Sequence, residues 1–117
     1  MTTKLKRKVK SICKEYAKDY DSGMSGFMSD LQQGGCQSGM IGELIYYSDT
    51  TKFYKKFQSE INELLSENLA SSGLTITETF GDKWDNDDPL ALDTYNQNLL
   101  AWFAFEETAF QLFDTEA

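Results

Sequence analysis

The chain has 117 residues, two cysteines, no histidine and a formal net charge of −8, with 40% hydrophobic and 14% aromatic side chains. A chain of that length and apolar content folds as one domain that buries roughly two thirds of its unfolded surface, which excludes global disorder. The missing histidine excludes histidine-dependent nucleophilic pairs and the commonest metal ligand, and two cysteines are too few for a disulfide framework.

Seven cations (Lys4, Lys6, Arg7, Lys8, Lys10, Lys14, Lys18) stand against Glu15 in the first 18 residues, whereas from Glu60 onward thirteen acids face a single Lys83. The basic start lacks the apolar run of a signal peptide, and no 18-residue apolar run exists, so a cytoplasmic protein with reduced thiols and no membrane contact is expected.

In chain order, Leu5, Val9, Ile12, Cys13, Tyr16 and Tyr20 fall at helical spacing, predicting an amphipathic helix over about 3–20 with its cations on the other sides. Ser25 to Gln33 predicts a second helix, stopped by Gly34 and Gly35. Ser38 is a candidate cap for a third, through Met40, Ile41, Leu44 and Ile45 to Tyr47. With Asp49 as N-cap, Phe53, Tyr54, Phe57, Ile61, Leu64, Leu65 and Leu69 predict one long helix to about Ala70, capped by Gly73. Leu74 to Phe80 is β-branched and alternating, but it has no partner strand and reads as an extended connector. Gly81 to Pro89 reads as an acidic loop with Trp84 folded back as a plug, and Asp88 with Pro89 suits the start of the next helix.

That last helix, Leu92 to Phe113, is the most apolar stretch and is expected to be the centre of the fold. At roughly 100° per residue, Leu92, Tyr95, Leu99, Trp102, Phe103, Phe110 and Phe113 share one face, with Ala101, Phe105 and Leu112 pointing the other way. The expectation is therefore an all-α single domain over 1–117, a compact bundle of four to five helices around a hydrophobic, aromatic-rich C-terminal helix.

Few residues carry a chemical signal. Cys36 follows a glycine pair and precedes a predicted helix start, a setting that favours thiolate, but no base partner accompanies it. The plainer reading is a small buried thiol. Asp82, Asp85, Asn86, Asp87, Asp88 and Asp93 are oxygen donors within twelve residues, yet they lack the spacing and the final glutamate of a calcium loop. Glu106 projects into the middle of the predicted apolar face and is expected to be a mostly buried structural carboxylate bonded by Tyr46, Tyr47, Tyr54, Ser38 or a lysine. Neither a catalytic residue, a metal nor a cofactor is expected.

The runs Gly35-Cys36-Gln37-Ser38-Gly39-Met40, Leu44-Ile45-Tyr46-Tyr47-Ser48-Asp49-Thr50, Phe53-Tyr54 and Leu99-Leu100-Ala101-Trp102-Phe103-Ala104-Phe105-Glu106-Glu107 resemble a family of small proteins carried by bacteriophages and related mobile elements. The resemblance spans about residues 24 to 113 and brings no catalytic residues with it. It implies a phage or prophage setting, in which small acidic proteins frequently inhibit host defence systems such as CRISPR nucleases and restriction enzymes. On that reading the partner is a host nucleic-acid-handling protein. Glu60, Glu63, Glu67, Asp82, Asp85, Asp87 and Asp88 would cover its basic groove as a nucleic-acid mimic. The alternative is a small accessory protein that binds nucleic acid through the Lys4–Lys18 helix. Homodimerisation through exposed aromatic surface is also left open.

Overall fold

The structure is a computed structural model, and it describes residues 3–34, 36, 40–42, 44–45, 52–74 and 94–113. Every regular element among them is helical: α1 (Thr3–Ala17), α2 (Met24–Gln32), a single turn α3 (Met40–Gly42), α4 (Lys52–Lys56), α5 (Gln58–Ser72) and α6 (Thr94–Phe113). The Cα radius of gyration, 14.0 Å, is close to the roughly 13 Å expected of a compact chain this long.

α1 buries Leu5, Val9, Ile12, Cys13 and Ala17 and leaves Lys4, Arg7, Lys8, Lys10 and Lys14 in water. It stops at Ala17, three residues before the periodicity suggests. The amides of Asp19 and Tyr20 then bond back to the carbonyls of Tyr16 and Ala17 at 3.1 Å, tightening the chain into a turn. Gly23, at φ +65°, sets the entry to α2, a backbone conformation that a side chain would strain. α2 buries Phe27, Met28 and Leu31.

Of the expected third helix, the described residues are Met40–Gly42, which form regular α-helix, and Leu44 and Ile45, which lie in a wider turn. The long helix expected up to about Ala70 is broken in two at Phe57, whose φ of −117° is not helical. The Phe57 amide is shared between the carbonyls of Phe53 and Tyr54 at 3.2 Å each, and its own carbonyl accepts from Ile61 at 2.9 Å to restart the helix. The bend keeps Phe53, Tyr54 and Phe57 all buried. α5 ends at Gly73, left-handed at φ +72°, whose N–H bonds the Leu69 carbonyl at 3.0 Å.

α6 packs against α1, α2, α4 and α5. Its buried face overlaps the projected one at Leu99 and Trp102 but is turned away from it at Phe103 and Phe110. Leu100, Ala101, Ala104, Phe105, Thr108 and Ala109 are fully buried, while Phe103, Phe110, Leu112 and Phe113 are only partly so. The small side chains Ala101, Ala104 and Ala109 explain the difference. They let neighbouring helices come close along that line, and the bulky Phe103 and Phe110 are left on the flank. Ser38, Tyr46, Tyr47, Asp49, the 75–80 connector, Trp84, Asp88, Pro89 and Leu92 lie outside the described residues.

Candidate functional site

On α5, Glu60, Glu63 and Glu67 recur at i, i+3 and i+7 and so occupy one side of the helix. The other side is held in the core by Ile61, Leu64 and Leu65. Glu63 and Glu67 are exposed, whereas Glu60 is half-buried. The Oε2 atom of Glu60 is buried without a hydrogen-bond partner, a costly placement for a carboxylate oxygen. The other members of the predicted acidic surface, Asp82, Asp85, Asp87 and Asp88, lie outside the described residues. So does the remainder of the aspartate-rich loop. The described residues alone are close to charge balance, so the acidic surplus of the chain comes from the others. Among the described residues no group of three or more Cys, Asp or Glu is arranged to hold a metal ion.

The structure also gathers a polar cluster that sequence reasoning missed. The Tyr20 hydroxyl, just past α1, donates to Asp30 Oδ2 of α2 at 2.5 Å. The Cys36 thiol donates to the same oxygen at 3.7 Å. Tyr20 is held edge-on to Phe27, with ring centroids 5.8 Å apart. One carboxylate thus ties the turn after α1 and the residue beyond the Gly34 bend onto α2. Asp30 carries no periodicity signal, because a single acid in a short helix reads as solvated surface. Thr108, fully buried on α6, was equally illegible.

The electrostatics of the cluster decide the chemistry of Cys36. Burial pushes its thiol up to about 11, with the negative charges of Asp30 and Glu106 adding to the rise. Burial likewise pushes Cys13 up to about 12, and the neighbouring Cys36 adds to it. Tyr20 is raised too, first by its bond to Asp30. The environment of Cys36 thus disfavours the thiolate and agrees with the plainer reading of a small buried thiol. At neutral pH both cysteines are protonated, unreactive core thiols. Glu106 is partly buried beside this cluster. Of its predicted donors, Tyr54 gives its hydroxyl to Asn62 Oδ1 at 3.0 Å.

These thiols make stability pH-dependent in a definite direction. Unfolded, they ionise near 9.0, and folded near 11 and 12. Between those values the folded state holds more protons than the unfolded one, so stability falls as pH rises. The thermal midpoint of the wild type should drop from pH 9 to pH 11 more steeply than that of a Cys13→Ala, Cys36→Ala double variant. Parallel curves for the two proteins would show that the thiols titrate as they do in water.

The family model described as Domain of unknown function (DUF7222) matches residues 2–117, and the chain belongs to that family. No curated protein and no solved structure matches the chain.

Proposed function

We propose that this member of the DUF7222 family is a phage-encoded, non-enzymatic binding protein that acts in the cytoplasm of its bacterial host. It inhibits a host nucleic-acid-handling complex, of which CRISPR and restriction nucleases are the candidate kinds, by laying an acidic surface over a basic groove. The observation that supports this reading is the α5 stripe, where Glu63 and Glu67 stand exposed on a helix whose opposite face is anchored in the core. Such a stripe presents fixed negative charge at a spacing set by the helix, as a basic groove requires. The acidic run from Asp82 to Asp88 supplies further charge of the same sign. The phage setting is supported by the resemblance at Gly35–Met40, Leu44–Thr50 and Leu99–Glu107.

The test is inhibition of DNA cleavage by a panel of purified CRISPR and restriction nucleases. The wild-type chain should block at least one of them, less effectively as salt rises, because exposed charges are screened beyond about 8–10 Å at 0.1–0.15 M. A variant carrying Glu63→Lys, Glu67→Lys, Asp85→Lys, Asp87→Lys and Asp88→Lys should lose at least tenfold in potency while keeping its melting temperature. Inhibition that is insensitive to both salt and charge reversal, or no inhibition across the panel, would refute the acidic-surface mechanism.

A further inference from the structure

Along α1, Lys4, Arg7, Ser11 and Lys14 are spaced three or four residues apart and therefore form one line down the helix, which Lys18 extends past the last turn. All five are exposed, as are Lys8 and Lys10 on either flank. Viewed down the axis the line is about 80° wide, and from Lys4 to Lys14 it is about 15 Å long. The acid on this ridge is Glu15. It sits 3.3 Å from Lys18, with both side chains more than 70% exposed, so the pair is screened and weak.

The opposite face of α1 determines which polyanion the ridge fits. A basic amphipathic helix that lies on a membrane places its apolar face among the acyl chains. Here that face is already committed. Leu5, Val9 and Cys13 are 0% exposed and Ile12 is 5% exposed, buried where α1 packs on α6 and α2. Only the polar cationic ridge is left facing outward. Nor does α1 offer an aromatic platform on which unpaired bases could stack, since Tyr16 and Tyr20 are half-buried and the Tyr20 hydroxyl is held by Asp30. Cations at fixed spacing with a hydroxyl among them, and no stacking surface, match phosphate contacts rather than base contacts.

We infer that the outer face of α1 binds the phosphate backbone of double-stranded DNA without sequence preference. This binding surface is separate from the acidic one. α1 and α5 both pack on α6 and share little contact with each other, so a duplex on one side leaves the other free for a protein partner. The overall charge of −8 does not forbid it. At physiological salt the Debye length is about 8 Å, so the field a phosphate meets at the ridge is set by the ridge itself.

The experiment is fluorescence anisotropy of a labelled 24-base-pair duplex titrated with the full chain at several salt concentrations. Four phosphates neutralised by Lys4, Arg7, Lys14 and Lys18 predict that log affinity falls with log salt with a slope near −4. Reversing the ridge with Arg7→Glu and Lys14→Glu should weaken binding at least tenfold and bring the slope to about −2. Reversing Lys55 and Lys56 on α4 to Glu should change affinity less than twofold. Both variants alter exposed side chains, and unchanged melting confirms that each is folded. Any of three results overturns the inference: no duplex binding at 50 mM salt, binding indifferent to the α1 reversal, or tighter binding to single strands or phosphatidylserine vesicles than to the duplex.

Discussion

Phe105→Ala is expected to destabilise the domain by about 3–5 kcal/mol, and Phe103→Ala, two residues away on the same helix, by less than half as much. Phe105 is 0% exposed and lies 5.5 Å, centroid to centroid, from the Trp102 ring. Removing it empties a volume that the surrounding helices cannot close, so lost transfer energy and an unfilled cavity add together. Phe103 is only partly buried, and truncating it leaves space that water can enter. Urea denaturation of both variants at matched m-values measures the two losses. If Phe103→Ala proved the costlier, α6 would be rotated so that its bulkiest residues face the core.

The rotation of α6 shows what kind of information the sequence holds. Projection weights each residue by hydrophobicity, and on that scale Phe103 and Phe110 outrank Ala101 and Ala104. Packing follows shape as well, and the fully buried line on α6 is largely made of small side chains that admit a neighbouring helix. α1 was legible because its charges and its apolar residues separate cleanly around the axis. Gly73 was legible because the left-handed cap demands glycine or a close substitute. The break at Phe57 was not, because no proline or glycine marks it. It arises from burying three aromatic residues together. The Tyr20–Asp30–Cys36 cluster joins residues up to sixteen positions apart, beyond the reach of any local pattern. Of the seven acids read as a partner surface, Glu60, Glu63 and Glu67 share one side of α5, with Glu60 half-buried. The other four lie outside the described residues.

Trp102 should separate two contributions that one substitution would mix. The residue is 4% exposed, yet its Nε1 is buried with no hydrogen-bond partner, as is Asn98 Oδ1 one turn earlier on α6. A donor taken from water and left unmatched costs about 1–3 kcal/mol, so the indole stabilises the core through its area while its N–H works against it. Trp102→Ala removes both and should cost about 3–5 kcal/mol, because the lost area and the cavity dominate. Trp102→Phe keeps most of the aromatic contact with Phe105 and deletes the unmatched donor. The opposing terms then nearly cancel, and the expected loss is about 1 kcal/mol or less. Chemical denaturation of the two variants beside the wild type gives both numbers. A Trp102→Phe loss approaching that of Trp102→Ala would mean that the N–H is satisfied in solution by a buried water. In that case this end of α6 is held by a buried polar contact rather than by apolar packing alone.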